Sequence, residues 1–351
     1  MIAVKTPPEE HVNGQPLVSV VILNYNGWGL LEKCVTSVLD SDYKNLEVII
    51  VDNASTDGGL ENIRKIIQEN KNVKIVANKK NLGFALGNNV GINASRGKYV
   101  VLLNNDTEVS KDWLHEIVRI MESDLDVGIC EGKILVDNKV TYPGFSFNPY
   151  VGFAKMPEKD MGQYDYLHEI FSTKGVCVVL RRSLIEKVGL LDSSLWITAE
   201  ILDLCWRSRL AGYKILYVPK SVIHHKARLG SGSYPMHVIT NAAFHVTKNQ
   251  TVILIKNLSS KNLLFKSLPI VVSLRLFELV YLTIKRKKVL LLVKIKAHVW
   301  LFKNFKHIYR QRLWVQRYLR RVSDDEINKT LGKPNFLGVY RFYRKVIRMY
   351  E

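Results

Sequence analysis

Long charge-free hydrophobic runs are missing from this 351-residue chain. No stretch reaches the ~18 apolar residues of a confident membrane span. Met1–Pro16 also lacks the apolar centre of a secretory signal. Cysteine is scarce: Cys34, Cys130, Cys177 and Cys205 are scattered and form no C-x-x-C pair, which excludes a disulfide scaffold. They read as buried thiols in a reducing compartment, so the chain is expected to stay inside the cell. Neither G-x-x-x-x-G-K-[ST] nor G-x-G-x-x-G occurs, which sets aside kinase, ATPase and dinucleotide-binding readings. What is present is ordinary for a folded chain, 47% hydrophobic and 24% charged, so collagen-like, low-complexity and disordered classes are excluded. A mass of 40.3 kDa suggests about two domains.

Acidic residues are scarce in one place only. Residues 251–351 carry 23 Lys and Arg against 5 Asp and Glu, while residues 1–250 carry 28 against 27. Nearly all of the net charge of +19 therefore sits on the last hundred residues. Such asymmetry points to a polyanionic partner, either nucleic acid or an anionic membrane surface.

Four short β-branched runs punctuate the first hundred residues: Leu17–Leu23, Leu46–Val51, Val73–Ala77 and Tyr99–Leu103. Helical spacing separates them, through Leu30–Leu39, Ile63–Ile67 and Asn88–Ala94. Strands alternating with helices predict right-handed crossovers and a mainly parallel sheet. Ligands of such sheets bind beyond the carboxyl ends of the strands. Three of these ends carry Asn and Asp clusters: Asn24–Gly27, Asp52-Asn53 and Asn104-Asn105-Asp106. A carboxylate such as Asp106 suits a divalent cation, since Mg²⁺ takes one or two carboxylates together with phosphate oxygens. The plainer alternative is a helix cap or Asx turn. Asp52 has the same alternative, against a role in accepting hydrogen bonds from a base or ribose. Asn78–Asn89 can wrap a sugar nucleotide or form an ordinary turn.

Together VSVVILNYNG, VDNASTDGG, NLGFALGNN and LLNNDTEV resemble, in order and spacing, the family 2 glycosyltransferases, and most closely the branch labelled rhamnosyltransferases. The resemblance runs on through KGVCVVLRRSLIEKVGLLD and DLCWRSRLAGYKILYVPKSVIHH, over about residues 17–233, and the tail RQRLWVQRYLRRVSDDEI is similar too. It implies a GT-A fold (Rossmann-like, with a mainly parallel central sheet flanked by helices) and inverting transfer from a nucleotide-diphosphate sugar; the branch label makes dTDP-rhamnose one candidate. Asn24, Asp52, Asn53, Asn81, Gly83, Asn88, Asn104 and Asn105 then fall on the donor side, with Asp52 at the nucleotide. Asp106 takes the metal position of the D-x-D motif, with Asn104 in place of its first Asp, and His225 falls where it completes a Mg²⁺ or Mn²⁺ site. Its neighbour His224 points elsewhere, because side chains alternate along a strand. Trp196 matches an acceptor-side aromatic.

One position departs from the pattern. The family has a Glu-Asp pair whose Asp is the base, and this chain has Glu200-Ile201. The base is then Glu200, or Asp203 one turn along the helix, or the chain is a non-catalytic donor-binding or scaffold subunit. A nucleotidyltransferase is a second rival, sharing strand-end carboxylates and metal.

In the basic part, Leu263–Ile284 is apolar except for Lys266, Pro269, Arg275 and Glu278, and Lys285-Arg286-Lys287-Lys288 precedes a second apolar run, Val289–Phe302. A spanning helix would bury Arg275 and Glu278 at roughly 2.5–3.5 kcal/mol each. An in-plane helix would leave them at the headgroups and sink its apolar face into anionic lipid. The competing expectation is a helical hairpin that buries its apolar faces on the catalytic domain or a second subunit. Nucleic acid fits poorly, because its grooves do not require long apolar runs. The expected organisation is a polar leader (1–16), a GT-A domain (17–245), a basic amphipathic, membrane-associating helical region (246–320) and a tail (321–351). The expected acceptor is a lipid-linked or cell-surface glycan at the cytoplasmic side of the membrane.

Overall fold

In the computed structural model, the described residues are 11–12, 14–67, 70–141, 143–144, 147–148, 153–154, 162, 164–226 and 235–329. Most of the expected leader and tail (residues 1–10, 13 and 330–351) therefore lies outside them.

The predicted strands form because their β-branched side chains can be buried on both faces. They are β1 (Val18–Asn24), β2 (Leu46–Asp52), β3 (Val73–Ala77) and β4 (Tyr99–Asn104). Helices α1 (Trp28–Leu39), α2 (Gly59–Ile66) and α3 (Gly83–Ala94) link them. A short β5 (Thr107–Val109), α4 (His115–Ser123), β6 (Val127–Val136) and β7 (Lys139–Val140) follow. Then come β8 (His168–Glu169), β9 (Cys177–Arg181), α5 (Arg182–Val188), α6 (Glu200–Leu210) and β10 (Lys214–His225).

Among the described residues these ten strands make one sheet in the order β8-β10-β6-β9-β4-β1-β2-β3, with β5 on β10 and β7 on β6. The half β4-β1-β2-β3 is parallel throughout, as expected. The other half is mixed, because β9 runs antiparallel to both β4 and β6. Alternate side chains build two cores. Val20, Ile22, Ile50 and Val101 face α1, α2 and α4. Val21, Ile49, Val51 and Leu102 face α3, α5 and α6. Each fully buried Ile or Val contributes about 1.5–3 kcal/mol.

The second core does not stop at residue 245. Helix α7 (Met236–Asn257) spans the expected domain boundary, and Val252, Ile253, Ile308 and Val315 share a continuous core with Leu102 and Trp206. Helices α8 (Leu268–Ile284), α9 (Lys288–Lys303) and α10 (Phe305–Trp314) follow. The boundary expected at 245/246 falls inside α7, and the core is not cut where the charge changes, because α7 supplies apolar surface to the side of the sheet that packs α3, α5 and α6.

Arg275 and Glu278 also lie elsewhere than an in-plane reading implies. They pair at 3.0 Å, and Lys294 of α9 reaches Glu278 at 2.8 Å, with Glu278 and Lys294 buried. The Lys294 ammonium donates to Thr247 on α7 at 2.7 Å, and Arg275 donates to Gln250 at 2.7 Å. Charges therefore face the protein interior. Among the described residues, no helix is long and apolar enough to cross a membrane.

Candidate functional site

The carboxyl ends of β1, β2 and β4 lie side by side, and the amides and carboxylates at these ends bond to one another. Asn24 donates to Asp52 Oδ1 at 3.2 Å and accepts from Asn105 Nδ2 at 2.7 Å. Asp52 Oδ2 accepts the Ser55 backbone N–H at 3.0 Å, which closes the turn after β2. Gly27 leaves room for this bond, since a Cβ would lie 2.4 Å from Asn105 Nδ2 and push that amide aside. Asn53 is a hub: its amide donates to Gly83 O at 3.1 Å and to Asn81 Oδ1 at 3.3 Å, and its carbonyl accepts from Asn78 at 2.9 Å.

The segment expected to wrap the donor is shorter than its sequence suggests. Helix α3 starts at Gly83, five residues ahead of the expected Asn88, because Asn81 Oδ1 takes the Gly83 N–H at 2.8 Å and Gly83 adopts φ +76°. Asn88 is consequently buried inside the helix, donating to Phe84 O at 2.9 Å. It therefore lies within α3 and not in the loop ahead of it, where it was expected.

Asp106 follows Asn104 and Asn105 at the turn from β4 to β5, and His225 ends β10, which pairs with β5. The His225 Nε2 lies 3.2 Å from Asp106 Oδ1. That oxygen is buried yet lacks a hydrogen bond, so the imidazole is close without being aligned as a donor. Two potential ligands on one orphaned acceptor fit a divalent cation. Among the described residues no group of three or more His, Cys, Asp or Glu could hold a metal. Remaining ligands would have to come from elsewhere, as is usual for Mg²⁺ on a diphosphate. His224 is exposed, as strand alternation requires.

On the opposite side, Glu200 and Asp203 begin α6, and their surroundings differ. Asp203 is fully buried, with Oδ2 at 2.9 Å from Arg207 and 3.0 Å from Lys256, and Oδ1 at 3.0 Å from Asn257. Lys256 also reaches Asp192 at 2.6 Å. Both Asp203 oxygens are committed, so the expectation of Asp203 as a base is corrected to a structural role. Glu200 is buried too, but its Oε2 has no partner. Burial, with the nearby Asp203 charge adding to it, pushes its carboxyl up to about 7. Ile201 is buried, and its Cγ1 would meet a Cβ on Gly175 at 3.2 Å. The place expected to hold a base is filled by packed hydrocarbon.

The turn before α6 is strained. Trp196, Thr198 and Ala199 all have positive φ, at 62°, 68° and 65°, a conformation costly outside Gly. Two devices hold it. The Trp196 indole lies over Gly83, where a Cβ would come within 2.6–3.0 Å of the ring, and Trp196 O accepts from Ala85 N at 3.0 Å. From α7, the Asn249 amide faces the carbonyls of Leu195, Ile197 and Thr198 at 2.8, 2.8 and 2.7 Å. Its two protons are shared among three acceptors. Lys248 donates to Ser194 O at 2.6 Å. Sequence reasoning missed Lys248, Asn249, Lys256 and Asn257; the available signal was the two Lys-Asn pairs of one helix, all four buried there.

A parallel α/β half ending in an Asn-Asn-Asp turn, closed by a mixed half that carries Trp196 and Glu200, defines a GT-A fold. Residues 19–189 match the family model for glycosyl transferase family 2. It is 27% identical over 216 residues to a poly-β-1,6-N-acetyl-D-glucosamine synthase of Staphylococcus aureus, covering 60% of this chain and 50% of that one. The chain spans less than half the length of other curated relatives that it matches. GalNAc-T7, solved with UDP, GalNAc and Mn²⁺, aligns at TM-score 0.59 and 19% identity, over 70% of this chain and 49% of that one. Mannosyltransferase PcManGT of Pyrobaculum calidifontis, solved with GDP-Man and Mn²⁺, aligns at 0.54 and 18%, over 98% and 87%. At these identities the structural likeness shows the fold.

Proposed function

We propose that the protein is an inverting, metal-dependent glycosyltransferase of polysaccharide biosynthesis. It takes a sugar from a nucleotide-diphosphate donor to a lipid-linked or cell-surface glycan at the cytoplasmic side of the membrane. The observation that carries the reading is the meeting of Asp106 and His225 beside the Asn24–Asp52–Asn105 cluster. Asp52 and Asn53 would receive the nucleoside, with Asn81 and Gly83 along the sugar diphosphate. Asp106 and His225 would hold Mg²⁺ or Mn²⁺, which when bound neutralises the departing diphosphate. Trp196 offers the acceptor sugar a half-exposed aromatic face. Glu200 takes the proton of the acceptor hydroxyl; a carboxyl near 7 is well matched to that task at neutral pH.

A second reading, a donor-binding subunit without turnover, is favoured by Ile201 and by the burial of Glu200. The same experiment addresses both. Thermal unfolding is followed with UDP-, dTDP- and GDP-sugars, with and without Mn²⁺. A ligand held only by the folded state raises stability by RT ln(1 + [L]/Kd). A metal-dependent shift with one nucleotide, abolished in Asp106→Asn, is expected, and it names the donor class; no shift with any of them overturns the reading. A shift without acceptor turnover selects the second reading.

A further inference from the structure

Helix α8 has its polarity reversed relative to a water-facing surface helix. Its two charged residues, Arg275 and Glu278, point inward to Gln250 and to Lys294, which in turn donates to Thr247. Its exposed positions are Pro269, Val272, Ser273, Leu276, Phe277 and Val280, then Thr283 and Ile284, none of them charged. Leu276, Phe277 and Val280 are each more than half exposed, and Ile284 is 71% exposed. Helix α9 continues the surface with Val289, Leu292, Ile295, Val299 and Phe302, the last 85% exposed. Water cannot favour this arrangement: burial of an ion triplet is costly, and so is exposure of a contiguous apolar face.

The same face is edged by cations. Lys285, Arg286 and Lys288 form the exposed turn between α8 and α9, while Lys296 and Lys303 lie on α9 among its apolar positions. We infer that α8 and α9 are an interfacial membrane anchor: they lie in the plane of an anionic bilayer, sink this face among the acyl chains and leave the lysines at the headgroups. Depth is limited because neither helix is long and apolar enough to cross, and because the inward ion triplet fastens the pair to α7. A second copy of the chain is a poorer occupant. It would bring another strongly basic surface against the first, whereas anionic lipid supplies the complementary charge. The inference deepens the proposed function by naming what keeps the enzyme beside a lipid-linked acceptor. Helix α7, to which the ion triplet fastens α8 and α9, also bonds the turn that carries Trp196.

The test is flotation of the full chain with phosphatidylcholine vesicles, with and without phosphatidylglycerol, at low and high salt. Binding to phosphatidylglycerol vesicles that salt weakens is expected. Phe277→Ser combined with Val280→Ser, and separately Ser273→Glu, should each weaken partitioning roughly tenfold or more. All three positions are exposed, so the core is untouched; the nucleotide-sugar thermal shift monitors folding and should stay unchanged. Absence of binding to both vesicle types overturns the inference. So does a wild-type oligomer that these substitutions dissociate without any vesicle binding, which would assign the face to a second copy. Neither readout uses turnover, so a failed anchor and a failed catalytic reading remain distinguishable.

Discussion

Glu200 is a carboxyl group shut away from water with one oxygen unpartnered. In the folded chain it keeps its proton up to about pH 7, while the unfolded side chain releases it near 4.5. The native state therefore binds more protons across this window. This group's contribution is most favourable below pH 4.5 and declines as pH rises to 7, by up to roughly 3 kcal/mol. Glu131, also pushed up to about 7 by burial, acts in the same window, so the comparison of interest is wild type against Glu200→Gln. The variant should lose less stability between pH 5 and pH 8 in denaturant titrations. If Glu200 is the base, wild-type transfer rises as pH passes about 7, and the Gln variant falls by about 10²–10⁴ with donor affinity intact. Unchanged transfer in the variant would remove Glu200 from the mechanism.

At the scale of elements, the informative contact is between α7 and the turn that enters α6. Asn249 offsets the strain of three left-handed residues by bonding the carbonyls of Leu195, Ile197 and Thr198. Asn249→Ala should lower stability by about 2–3 kcal/mol. It should also raise the acceptor KM, because Trp196 loses its anchorage, while the nucleotide-sugar thermal shift stays the same. A stability loss with acceptor kinetics unaltered would mean that α7 is a structural strut and nothing more. Gly83 belongs to the same unit from the donor side, since the indole rests where its side chain would be.

For the whole molecule, the sharp change in charge near residue 250 does not mark a division of the fold. Val252, Ile253, Ile308 and Val315 complete the core that begins with Val21 and Leu102. Asp203 of α6 is neutralised in part by Lys256 of α7. Calorimetry should accordingly give a single unfolding transition with equal calorimetric and van't Hoff enthalpies. Two separated transitions would restore the boundary that composition suggests.

The parallel half and its three polar strand ends were legible in the chain, because continuous β-branched apolar runs and Asn/Asp turns are local properties written in consecutive residues. Alternation along one strand also puts His224 and His225 on opposite faces, while the preference for His225 came from the resemblance. Other features depend on partners distant in sequence. Asp203 and Glu200 share one turn of one helix, yet only the approach of Lys256 and Asn257 commits the first and leaves the second unpaired. Arg275 and Glu278 interrupt an apolar run in the sequence. Tertiary packing turned them inward to Lys294 and thereby turned the hydrocarbon out, because an ion pair of matched charge can be buried against a neighbouring helix while the apolar side faces away from it.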